Sequence, residues 1–120
     1  MSEESPSGHK LGAPRHMHES EIQLVSLLLQ RTGDLAARKS RLADMHVQEM
    51  PDGKMGSLYF VSETKLPEQR RFGRRISEIQ FNDVDGVAIL ASLNVDKDGD
   101  LYELDVWKTD YTPVIRLGPA

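Results

Sequence analysis

Cysteine is absent from the 120 residues, which excludes disulfides, thiol nucleophiles and cysteine-ligated zinc. No apolar run approaches the roughly 20 residues that a membrane-spanning helix needs. The opening stretch, Met1–Lys10, is polar and acidic and lacks the apolar centre of a signal peptide. The expected location is therefore the cytoplasm, with no membrane contact. Excess positive charge is missing too: the formal net charge is −4, a balance that argues against a general nucleic-acid binder. Aromatics are scarce, with Trp107 the one tryptophan.

What is present is unevenly spread. Residues 83–110 carry eight acids against Lys97 and Lys108, whereas residues 1–82 are close to balance. The acids cluster around the run Val87-Ala-Ile-Leu-Ala-Ser-Leu-Asn-Val95, Asp96-Lys-Asp-Gly-Asp100, Leu101-Tyr-Glu-Leu-Asp-Val-Trp107. Two alternating segments around an Asp98-Gly99 pair are a strong short-range signal for a β-hairpin. Val87, Ile89, Ala91, Leu93 and Val95 are expected on one face with Tyr102, Leu104 and Val106. Leu90, Ser92 and Asn94 then share the other face with Leu101, Glu103, Asp105 and Trp107.

Residues 1–17 hold little apolar content and are expected to form a disordered arm, followed by a single domain over 18–120. Ser20-Glu-Ile-Gln23 fits a capping box. Ile22, Val25 and Leu29, widened by Leu24 and Leu28, mark a helical face, and Gly33 is placed to stop it. Asp34 is positioned to cap a short second helix through Arg41. Period-two patterning then predicts strands at 45–49, 56–61 and 75–81, with turns at Pro51–Gly53 and Asn82–Gly86. The fold class is α+β: one or two N-terminal helices packed on an antiparallel meander of about five strands.

No catalytic constellation emerges, and the reading leans to a protein that is not an enzyme and uses no cofactor. Of His9, His16, His18 and His46, the first three lie in the arm or at its edge, and His46 reads as a half-buried strand residue. Asp96–Asp100 invites calcium, yet glycine is fourth rather than sixth and position twelve is Trp107, so the spacing fails and no metal is assigned. Asp52-Gly-Lys-Met-Gly-Ser57 lacks the lysine-serine pair that must directly follow the second glycine of a phosphate loop.

Two clusters remain. Glu103, Asp105 and Trp107 form a candidate partner surface for a basic protein or for self-association. The alternative is that the tail, Thr109–Leu117, folds back over Trp107 and Leu90. In Arg70-Arg-Phe-Gly-Arg-Arg75, Arg71, Arg74 and Arg75 are candidates to hold an anion near the Asp52–Ser57 turn, as in a small anionic-ligand binder or enzyme. The alternative is internal pairing with the acidic hairpin.

Four segments, Met50–Leu58, Arg71-Phe-Gly73, Phe81–Val87 and Leu101–Lys108, together resemble a family of small bacterial α+β domains of unknown function. The resemblance covers residues 20–117 and implies a compact bacterial domain with no assigned activity. In size and build such a chain is similar to toxin-neutralising immunity proteins or adaptors, an analogy of fold alone.

Overall fold

Apolar residues three and four apart set the first long element. In the computed structural model, which describes residues 11–33 and 35–119, Leu24, Val25, Leu28 and Leu29 form the buried stripe of helix α1 (Glu19–Thr32). The helix starts two residues earlier than a Ser20 cap suggests. The His18 amide donates to Glu21 Oε1 at 2.7 Å, so the reciprocal cap runs from His18 to Glu21. Arg15 forks onto both oxygens of Glu21 at 2.8 Å, and this ion pair selects the acid over Gln23. Gly33 ends the helix as expected, in the left-handed conformation at φ 79°. A short helix α2 (Leu35–Leu42) follows; its expected cap, Asp34, lies outside the described residues.

Six strands follow from the alternating segments and one unexpected addition. They are β1 (Arg15–His16), β2 (His46–Glu49), β3 (Leu58–Phe60), β4 (Phe72–Asn82), β5 (Ala88–Asp96) and β6 (Leu101–Lys108). Strand β1 corrects the boundary of the arm. Arg15 and His16 pair with Val47 and His46, and Met17 is buried in the core, so the ordered domain begins before residue 18. Residues 1–10, with His9, lie outside the described residues.

The sheet is antiparallel throughout, in the order β1-β2-β3-β6-β5-β4. It departs from a simple meander: two three-stranded meanders meet where β3 pairs with β6. One face carries Val47, Leu58, Phe60, Ile89, Ala91, Leu93, Leu104 and Val106 against α1 and Leu42 of α2. Burying each of the Val, Leu, Ile and Phe side chains contributes about 1.5–3 kcal/mol.

Two details re-aim side chains. An irregularity in β5–β6 pairs Val95 with Leu101 although Asn94 pairs with Glu103. Leu101 therefore turns into the core and Tyr102 out of it, the reverse of strict alternation. At the other bulge, between Phe72 and Arg74, a Cβ on Gly73 would fall inside van der Waals contact of the Asp96 carbonyl. Close backbone approach, not left-handed φ, requires glycine there. Gly73→Ala is expected to cost roughly 1–3 kcal/mol through overpacking, read as a lower urea midpoint. An unchanged midpoint would show that β4 shifts freely.

Candidate functional site

The sharpest electrostatics lie at the hairpin tip, and they are structural. Asp96 accepts the amides of Asp98 and Asp100 on Oδ1, at 2.9 and 3.0 Å. Its Oδ2 takes Lys65 Nζ at 2.7 Å and Arg70 Nε at 3.0 Å. Burial would raise this carboxyl, but Lys65, the Asp100 amide and Arg70 prevail and hold it at about 2. Lys65 Nζ also reaches Asp98 at 3.1 Å and Asp100 at 2.9 Å. The carboxylates that invite calcium thus converge on an ammonium that the chain itself supplies.

Arg70 is the arginine that pairs inward. Its side chain is 1% exposed, lies 5.4 and 4.9 Å from the rings of Tyr59 and Tyr102 and donates to the Phe60 and Leu101 carbonyls at 2.7 Å each. It bridges the end of β3 to the start of β6. Local sequence offers no sign separating it from Arg71, Arg74 and Arg75.

A second buried ion pair fixes the tail. Asp83 accepts the amides of Val84, Ile115 and Arg116 at 2.7, 2.7 and 2.9 Å and Lys108 Nζ at 2.9 Å. Lys108 Nζ also meets Asp85 at 2.6 Å. Burial opposes ionisation of Asp83, but the Ile115 amide, Lys108 and the other amides hold it far below the usual carboxylate range. The Val114 amide donates to the Lys54 carbonyl at 3.2 Å. The tail is therefore drawn to the β2–β3 turn, where Val114 and Leu117 pack on the core.

Trp107 consequently stays 39% exposed, with the Tyr111 ring of the tail tilted against it at a centroid distance of 5.9 Å. Tyr111 is held in the left-handed region at φ 65°, its amide on the Lys108 carbonyl at 2.8 Å. The sheet face turned away from the helices carries Gln80, Leu90 and Trp107 in one cross-strand row and Glu78, Ser92 and Asp105 in the next. A third row runs Arg75, Asn94, Glu103, Tyr59 and Gln48. Glu103, Asp105 and Trp107 thus do share a surface, and Glu78 joins them from β4, unremarked in the sequence because strand order is not locally written. Burial and then Asp105 raise the Glu103 carboxyl, against a 3.4 Å hydrogen bond donated by Asn94. A half-buried carboxylate beside a second acid gains when a cation arrives.

The anion candidates divide. Arg71 donates to the Glu68 and Arg70 carbonyls at 3.1 and 3.0 Å. Arg74 and Arg75 line one cleft, and Arg75 forms an exposed pair with Glu78 at 3.3 Å. None is brought to the Asp52–Ser57 turn. That turn is closed by Asp52 accepting the Met55 and Ser57 amides at 3.2 and 2.9 Å, and Ser57 Oγ bridges to Val106 at 2.9 and 3.2 Å. His46 is exposed rather than half-buried, with the His16 ring 4.4 Å away. Among the described residues no group of three His, Asp or Glu is placed to hold a metal, and no helix is long and apolar enough to cross a membrane.

No curated protein and no solved structure matches the chain. Residues 14–118, from the residue before β1 to the docked tail, match the model of a domain of unknown function, DUF6984, and the chain belongs to that family.

Proposed function

We propose that the protein is a non-catalytic binding module whose open sheet face receives a basic protein surface. The observation that carries this reading is the grouping of Glu78, Glu103 and Asp105 on adjacent rows, bordered by Trp107 and Tyr111, on the face that neither helix covers. Carboxylates steer a cationic partner to the face, and an amphipathic aromatic pair supplies contact area once water leaves. The build suits an immunity-like or adaptor-like role, or self-association.

The test uses Glu103→Lys with Asp105→Lys, and Trp107→Ala separately. Glu103 is partly buried and Asp105 and Trp107 are exposed, so both variants are expected to fold. A partner recovered with the wild-type chain and re-bound from purified components is expected to lose at least roughly tenfold in affinity with either variant, the scale of a hot-spot residue. Equal affinity for all three proteins, with an unchanged oligomeric state, would remove this face from consideration.

A further inference from the structure

Tyr111 is strained and yet barely buried. Its backbone sits at φ 65°, a region that glycine or asparagine takes readily and a bulky ring rarely does. The residue is 72% exposed, so packing offsets little of that strain. What the turn from Lys108 to Tyr111 achieves is to set the phenol ring beside the Trp107 indole, tilted 56° from it. A sparsely populated backbone conformation that serves an exposed contact points to function rather than to folding.

The groups around that ring pair are unused. Asp105 stands two residues before Trp107 on the same face of β6, while Val106 between them turns into the core. Asp105 is exposed, and among the described residues neither its carboxylate nor the Trp107 indole N–H has a hydrogen bond or an ion pair. Glu78 extends the Asp105 row across Ser92, which keeps the surroundings negative.

From this arrangement we infer that Trp107, Tyr111 and Asp105 receive an arginine side chain of the partner, and that Tyr111 selects arginine over lysine. A guanidinium is flat and weakly hydrated, so it stacks on an aromatic ring while its edge forks onto a carboxylate. An ammonium is a compact, strongly hydrated point charge that gains less from both. This role rests on the reading of the face as a receiver of a basic protein surface, and adds which cation is selected there.

Trp107 is the single tryptophan, so its fluorescence in the full chain reports the site directly. Two five-residue peptides of equal charge serve as probes. Each has lysine at both ends and glycine at the second and fourth positions, with arginine or lysine at the centre. Saturable quenching is expected, with half-saturation at roughly fivefold lower concentration for the arginine peptide, the scale of an exposed cation–π contact. Tyr111→Phe keeps the ring and should keep the preference. In Tyr111→Asn the preference should vanish while the urea midpoint equals or exceeds the wild-type value, because asparagine tolerates the left-handed region. Equal half-saturation for the two peptides in the wild type overturns the inference and leaves the acidic face standing. No binding of either peptide removes both the selection and the cation-receiving face. A lower midpoint in Tyr111→Asn assigns the ring to holding the tail, and quenching by cellotetraose without a response to either peptide gives the site to a sugar; each overturns the inference.

Discussion

Arg70→Met is expected to lower the stability of the domain by about 3–5 kcal/mol, the scale of removing one partner from a buried ion pair. Domains of this kind have about 5–15 kcal/mol in total, so the loss is a large share of the whole and should appear as a clearly lower urea midpoint. Methionine approximates the side-chain volume. It leaves the Phe60 and Leu101 carbonyls without their donor and takes a cation from Asp96. The Tyr59 and Tyr102 rings also lose the charge between them. Urea unfolding followed by circular dichroism measures the loss. A change below about 1 kcal/mol would show that the guanidinium contributes volume rather than bonds.

The same residue shapes the acid response. Asp96 titrates at about 2 in the folded chain against an ordinary 3.8. A depressed folded value means that its contribution is fully present above the unfolded value and disappears as pH falls from about 4 towards 2. Asp83 acts in the same direction and persists to lower pH. Removing Arg70 brings the Asp96 values in the two states closer together. The variant's stability should therefore fall less steeply over that window, from a lower starting level. Equal slopes in the two proteins would detach Asp96 from Arg70.

Asp83→Ala is the second large effect, about 3–5 kcal/mol by the same reasoning, and it carries a local signature. Three amides and the Lys108 ammonium lose their acceptor together, and Asp85, 37% exposed, is left to balance a buried lysine. The tail should open first, so limited proteolysis under native conditions is expected to cut between residues 109 and 119. Asp83→Asn keeps one carbonyl oxygen for the amides and should fall between the two. Proteolytic resistance equal to wild type in Asp83→Ala would mean that Val114 and Leu117 hold the tail without help.

How much of this was readable beforehand depends on the range of the interaction. Helix α1 and the β5–β6 hairpin are written in periods of a few residues, and so were legible. The outward grouping of Glu103, Asp105 and Trp107 followed from alternation, because the irregularity near Leu101 lies on the far side of Glu103. That same irregularity inverted Leu101 and Tyr102, which no local pattern signals. Strand β1 was missed because two polar residues carry no period; its place is set by Arg15 finding Glu21 and Glu49. The four arginines look alike in sequence, and partners distant along the chain decide that Arg70 is buried while Arg74 faces a cleft. Pairing of β3 with β6 is likewise a property of the whole chain.

That pairing has a consequence for how the chain reaches its native state. The β2–β3 pair and the β4-β5-β6 half are assembled from neighbours along the chain, so their turns close short loops at low entropic cost, whereas β1 reaches β2 across both helices. The seam between the halves must instead join Ser57 to Val106, 49 residues apart, and Arg70 to Leu101, 31 apart. Contacts of such separation form late and slowly. Ser57 and Arg70 stand at the two ends of that seam, so two polar side chains lock the longest-range strand pairing in the sheet.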